Sequence, residues 1–220
     1  MLSAVCFDFD GTLAHYTGDF PLLLKQTAYD LNLSETETRA AYESFGQHVR
    51  REGRSTLPGI LRNVLHDLGK PDKDVTSAAE AMTKRYLSDM ALLPGAEAVL
   101  ELTRHLPRAL ITNGPSDMQR AAVRHVGLED TFQTIIVSGD EDVAVRKPNR
   151  HIFELACERL GTEPENTLMV GDNLEADIRG ALAYGMQAVW LGEGDVEGIE
   201  SVRDTAALYE YFSMTTSRQS

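Results

Sequence analysis

The run Ala4-Val5-Cys6-Phe7 is apolar at every position and stops at Asp8-Phe9-Asp10-Gly11-Thr12. A strand wet on one face alternates apolar with polar residues, so an unbroken apolar run of strand length belongs to a buried parallel sheet. Gly11 ends the run. Side chains two apart on a strand point the same way, so Asp8 and Asp10 face one crevice at its end. Two carboxylates held that close repel each other unless a cation or a proton intervenes. A hard divalent cation with oxygen ligands meets that need, and Mg²⁺ binds through a few carboxylates, waters and a substrate phosphate.

From Pro94 onward the pattern alternates. Helix 96–105, strand 108–112, helix 118–126 closed by Gly127 and strand 134–138 come first. Helix 151–160 ended by Gly161, strand 167–170, helix 174–184 ended by Gly185, strand 187–191 and a last helix at about 205–212 follow. Alternating strands and helices with short links predict an α/β fold, a doubly wound parallel sheet with right-handed crossovers. Ligands of such sheets bind at the carboxyl ends of the strands, near the point where strand order reverses. Residues 18–88 show no strand pattern. Leu22, Leu23, Ala28 and Leu31 suit one helix, and Ser34 with Glu37 forms a capping box for another that runs toward Arg51 and stops at Gly53. Ile60, Leu61, Val64, Leu65 and Leu68 recur at helical spacing before Gly69, and 75–90 is a fourth amphipathic segment. The expected organisation is a core of 1–17 and 89–220 with an inserted helical domain at 18–88. The polar tail 213–220 is expected to fray.

The chain has 220 residues, 42% hydrophobic and 25% charged, the balance of a soluble globular protein with a real core. It carries 21 basic against 34 acidic residues, a net charge of −13. That balance argues against nucleic acid and anionic membrane as partners, while a small anion can still bind through a local metal. The two cysteines, Cys6 and Cys157, are scattered and read as reduced, buried thiols of a cytoplasmic protein, and no zinc-type spacing is present. No leader pattern and no apolar stretch of membrane-spanning length occur, so a soluble, unprocessed chain is expected.

Four places put polar groups at a predicted strand end or helix start. They are Asp8 and Asp10, Thr112-Asn113-Gly114, Lys147-Pro148, and Gly171-Asp172-Asn173 with Asp177. Singly, each is ordinary: a solvated turn, turn chemistry, a loop charge, a helix cap. In this order and at these boundaries the four motifs resemble the haloacid dehalogenase-like superfamily, in its phosphatase branch with a helical cap. The resemblance extends over the whole chain, including the helical insertion.

That resemblance implies a small phosphorylated metabolite as substrate, in the manner of a nucleoside 5′-monophosphate, a sugar phosphate or phosphoglycolate, and Mg²⁺ as cofactor. Asp8 would be the nucleophile that forms an aspartyl-phosphate, and Asp10 the general acid/base. Lys147 would offset charge on the transferring phosphoryl group. Asp8, the backbone carbonyl of Asp10 and Asp172 would hold the metal, with Asp177 and Asn173 behind them, Asp177 orienting water or Lys147. The Thr112 hydroxyl and the backbone around Asn113 and Gly114, together with Gly11 and Thr12, would hold the phosphate. The protein would act as a monomer or homodimer.

Rival readings stay open at this level. Dehalogenases of the superfamily lack an acid at the position of Asp10, its phosphomutases typically carry valine where Thr12 stands, and phosphonate-cleaving relatives use a cap lysine. Lys25, Lys70, Lys73 and Lys84 are the lysines of the insertion, each fitting a surface charge. Arg50, Arg51 and Arg54 either meet a second anionic group on a substrate or form a solvated helix end. A non-catalytic binding module has no reason to hold costly like charges together. The six histidines receive no role.

Overall fold

The computed structural model describes residues 2–217. In chain order it holds β1 (Ala4–Phe7), β2 (Ala14–Tyr16), α1 (Phe20–Asp30), α2 (Glu35–Val49), α3 (Leu57–Asp67), α4 (Thr76–Ser88) and β3 (Met90–Leu92). Then come α5 (Ala96–Leu102), β4 (Arg108–Thr112), α6 (Ser116–His125), β5 (Thr134–Val137), α7 (Arg150–Leu160) and β6 (Thr167–Gly171). A π-helical turn (Leu174–Arg179) runs into α8 (Gly180–Tyr184), followed by β7 (Gln187–Leu191), β8 (Glu200–Val202) and α9 (Thr205–Ser217).

Six strands form one parallel sheet in the order β5-β4-β1-β6-β7-β8. Counted within this sheet alone the order is 3-2-1-4-5-6, so the winding reverses between β1 and β6. That junction is where an open α/β sheet leaves a crevice at its carboxyl edge. Phe7 pairs with Leu110 of β4 and Val170 of β6, which puts Asp8 level with the end of both neighbours.

The apolar run of β1 is explained by burial on both faces. Val5 and Phe7 join one apolar cluster and Ala4 and Cys6 the other; Leu110 and Ile111 of β4 divide in the same way, as do Val170 and Met169 of β6. The first cluster continues without a break into Leu23 of α1, Phe45 of α2, Leu61 and Val64 of α3 and Met82 of α4. Four helices thus pack against one face of the sheet, three of them started by side-chain caps: the Asp19 side chain accepts from the Leu22 N–H, Ser34 and Glu37 form the reciprocal capping box, and Thr56 accepts from the Gly59 N–H.

Three short strands have no counterpart in the sequence pattern. β2 and β3 pair antiparallel, Ala14 with Leu92 and Tyr16 with Met90, as the two legs that lead to and from the four helices. At three residues each they are too short to show a period. β8 closes the sheet edge beside β7. The expected frayed tail is a correction, because α9 continues to Ser217, anchored by Phe212 at 6.3 Å from the Phe7 ring; residues 218–220 lie outside the described residues. A packed apolar face lets the helix propagate through polar residues. Among the described residues no helix is long and apolar enough to cross a membrane.

Candidate active site

Asp8 is buried at the end of β1. The Lys147 ammonium lies 2.5 Å from its Oδ1, and the Thr12 hydroxyl donates to its Oδ2 at 3.2 Å. Lys147 also donates to the Ile111 carbonyl at 2.6 Å and stands 2.7 Å from Asp177 Oδ1. Its backbone is gripped by the Asn113 side chain, which accepts from the Lys147 N–H at 3.0 Å and donates to the Lys147 carbonyl at 3.1 Å. The Lys147-Pro148 peptide is cis. Burial pulls the Lys147 ammonium down, but Asp8 and Asp177 outweigh it and hold the lysine above its ordinary value. It remains a fixed cation.

Asp10 meets different partners. Tyr86 of α4 donates to its Oδ1 at 3.1 Å and Gln119 of α6 donates to its Oδ2 at 2.9 Å, while burial raises its carboxyl in spite of both. No cation touches it among the described residues. Tyr86 is 5% exposed, and its ring stacks on Tyr16 at 5.0 Å.

The third strand end is that of β6. The π turn winds wide enough to bring Asp177 back under Gly171, with Asp177 Oδ2 accepting from the Asn173 N–H at 3.0 Å; the Asn173 side chain in turn caps Glu175 and Ala176. Asp172 reaches toward β1 past Gly11. Gly11 has φ +89°, and a Cβ there would lie 2.2 Å from Asp172 Oδ2, so only glycine fits between the two strand ends. One carboxylate oxygen each from Asp8, Asp172 and Asp177 lies within 4.8 Å of the others. Asp8 and Asp177 are buried, and Asp172 opens to solvent.

This donor set fits a hard divalent cation, being all oxygen and short of positive charge. One ammonium faces three carboxylates. Burial pushes the Asp8 carboxyl up to about 8 although Lys147 pulls the other way, with Asp177 adding to the rise. Partial burial and the Asp177 charge push Asp172 up to about 6. A cation among the three would relieve both.

The expected residues fall together with some differences in company. The clustered carboxylates are Asp8, Asp172 and Asp177; the Asp10 side chain turns to Tyr86 and Gln119, so any part of Asp10 in a metal site rests with its backbone carbonyl. Two of the groups expected to hold phosphate are engaged with the protein itself, the Thr112 hydroxyl donating to Gln119 Oε1 at 3.2 Å and the Gly114 N–H donating to Ser138 Oγ at 3.0 Å, while the Asn113 side chain between them grips Lys147. The Gly11 N–H likewise donates to the Ala14 carbonyl at 2.7 Å. Tyr86 and Ser138 carry no sequence signal. Gln119 is legible only as a polar residue after the second motif.

Comparison with known proteins places these features in a family. A family model described as haloacid dehalogenase-like hydrolase matches residues 2–185. A phosphoserine phosphatase of Thermus thermophilus is 36% identical over 140 residues, 61% of this chain; the match spans about half of that relative, 54% of its length. A ribulose-1,5-bisphosphate 5-phosphatase of Halopiger xanaduensis is 28% identical over 94% of this chain and 92% of its own. Among solved structures, an HAD phosphatase from Thermococcus onnurineus superposes with a TM-score of 0.69 at 27% identity, over 96% of this chain and 97% of that one. The match across residues 2–185, on a fold whose strand ends carry the motifs described above, means that the chain belongs to the haloacid dehalogenase-like hydrolases.

Proposed function

We propose that this hydrolase is a Mg²⁺-dependent phosphatase that cleaves a small phosphate monoester through a phosphorylated Asp8. The observation that carries the reading is the division of two carboxylates on one strand end between two environments, Asp8 against an ammonium and Asp10 against two neutral donors. Such a division is how paired carboxyls take different roles.

Asp8 Oδ attacks phosphorus, forming the Asp8 O–P bond as the bond to the leaving oxygen breaks, and Asp10 delivers a proton to that oxygen. Asp10 then takes a proton from water, whose oxygen attacks phosphorus, so that phosphate leaves and the Asp8 carboxylate is restored. Lys147 holds Asp8 in line and offsets charge, and Thr12 fixes its second oxygen. Asp8 and Asp172 would hold the metal with the Asp10 carbonyl, and Asp177, engaged by Asn173 and Lys147, adds its charge. Bound there, the ion would supply electrostatic stabilisation of the transferring phosphoryl group. Phosphate would enter from the Asp172 side, with the Thr112–Gly114 turn rearranging its internal bonds to receive it. Residues 18–88 serve as the cap over a core of 1–17 and 89–220, and Tyr86 is the cap's contact with the acid/base.

The substrate is a small phosphorylated metabolite of the nucleoside 5′-monophosphate, sugar phosphate or phosphoglycolate type. The protein is cytoplasmic, in keeping with two free, buried thiols, and works as a monomer or homodimer. A chromogenic aryl phosphate assayed with Mg²⁺ and with EDTA tests the reading. Turnover should require the metal, and Asp8→Asn should abolish it while the melting curve stays cooperative. Activity in EDTA, or in the Asp8→Asn protein, would refute it.

A further inference from the structure

The turn between α2 and α3 borders a second pocket of about 400 Å³ that none of Asp8, Asp10, Thr112, Lys147 or Asp172 lines. Its wall gathers Arg51, Arg54 and Arg62 in a chain whose net charge is −13. Local positive potential on an acidic protein is where a small anion collects. Arg54 has Glu141 at 3.0 Å, and Glu52 of the same wall accepts from Asn149. Neither Arg51 nor Arg62 has a carboxylate in salt-bridge contact among the described residues.

Two buried polar atoms of the lining residues lack a hydrogen-bond partner, His48 Nδ1 and Ser55 Oγ. Among the described residues the one other such atom is Asp177 Oδ1, which faces Lys147. Unmet hydrogen-bonding capacity outside the active site is therefore concentrated at this pocket, and buried polar atoms are rarely left unmet. His48 is 6% exposed. Its Nε2 is engaged with Asp67 at 2.8 Å, and its Nδ1 has no partner among the described residues. An imidazole held by a carboxylate on one nitrogen offers an N–H on the other once protonated, and a serine hydroxyl donates as well. A cation would be repelled by the arginines, and an apolar ligand would leave both atoms unmet.

We propose that this pocket is an oxyanion site, taking inorganic phosphate or the phosphoryl group of a small metabolite between Arg51 and Arg62, with the Ser55 hydroxyl and His48 Nδ1–H as further donors. The site is tied to the active-site turn. The Ser55 N–H donates to the Gly139 carbonyl at 2.9 Å, and the Ser116 N–H donates to the Ser55 carbonyl at 2.8 Å. An anion that holds Ser55 therefore steadies the seat of the cap beside Gly114. Asp8 plays no part in the site, so it stands or falls apart from the phosphatase reading.

The test uses the full chain in EDTA with sulfate as probe, followed by titration calorimetry and by ¹⁵N spectra of the histidine rings. The wild-type protein should bind sulfate, and the His48 nitrogens should move to the doubly protonated pattern. The Arg51→Ala/Arg62→Ala variant, its melting point in sulfate-free buffer serving as the fold control, should bind sulfate at least tenfold more weakly at this site and lose the His48 response. No binding to wild type, a His48 spectrum unmoved by sulfate, or equal affinity in the double variant would overturn the proposal. A further arm compares inorganic phosphate with glycerol 1-phosphate in the Asp8→Asn background. Tighter binding of the first assigns the site to free phosphate and of the second to a metabolite, and retention of both in the double variant also overturns it.

Discussion

Asp8 and Asp10 stand two residues apart and are held by groups from three distant parts of the chain. Lys147 is 139 residues from Asp8, Gln119 is 109 and Tyr86 is 76 from Asp10. The charged donor Lys147 favours the anionic form of Asp8 against its burial, whereas neutral donors orient Asp10 without fixing its charge, which suits the proton transfers proposed for it. On the proposed mechanism Tyr86, donating from α4 to Asp10, would be a positioning residue for the acid/base. Tyr86→Phe keeps the ring on Tyr16 and deletes only the hydroxyl. It should lower kcat about tenfold, about 1.4 kcal/mol of barrier, with KM and melting temperature little changed. Steady-state kinetics beside a melting curve checks this; a change in KM alone would assign Tyr86 to substrate binding instead.

At the scale of elements, α6 and β5 are tied at the back of the active-site turn by one carboxylate. Asp140 accepts from Arg120 Nε at 3.1 Å and Nη2 at 2.7 Å, from the Val137 N–H at 3.3 Å and from the Ser116 hydroxyl that opens α6. Burial raises the Asp140 carboxyl, but Arg120 and Ser116 outweigh it and hold it below the ordinary carboxylate range. The stability this contributes is fully present above the unfolded-state value of about 3.9 and is lost as pH falls from there through the lower folded value. Melting temperature followed from pH 6 down to pH 2 should therefore drop less steeply in Asp140→Asn than in wild type. At pH 7 the variant should be less stable by about 1 kcal/mol. Equal slopes would mean that another carboxyl carries the acid sensitivity.

Over the whole molecule, the four helices between β2 and β3 are seated on the rest of the chain at several places, of which two are extended. One is the apolar cluster they share with β1. The other is the 50–56 turn, where the Gly53 N–H donates to the Ala144 carbonyl, Arg146 donates to the Val49 carbonyl at 2.8 Å, and Ser55 bridges Gly139 and Ser116. Gly139 is the narrow point of this seam. A Cβ there would lie 2.6 Å from both the Gly114 and Ser55 carbonyl oxygens and 2.8 Å from the Ser116 nitrogen, all backbone atoms that cannot swing aside. Gly139→Ala should cost about 1–3 kcal/mol by overpacking. It should speed amide hydrogen exchange in the 50–56 turn and lower turnover through the displaced Thr112–Gly114 turn. Protection in the 50–56 turn equal to that of wild type would show that the seam is not where cap and core are joined.

The amino-acid sequence alone determined the sheet and the motifs at its strand ends, because burial on two faces demands unbroken apolar runs and because the turn and cap chemistry of Gly11, Ser34 and Gly161 is local. It also brought Asp8 and Asp172 to one edge, since strand ends converge wherever parallel strands are wound about β1, whereas Lys147 reaches Asp8 from the connection between β5 and α7. The tertiary structure alone decided which neighbour each group would have. Asp177 joined the carboxylate cluster through a π turn, Tyr86 reached Asp10 from the cap, and the Thr112 hydroxyl and Gly114 N–H were taken by Gln119 and Ser138. β2, β3 and β8 likewise exist through pairing alone. Contacts of this kind depend on how separate elements pack, and packing distances of a few ångströms leave no periodicity in the chain to read.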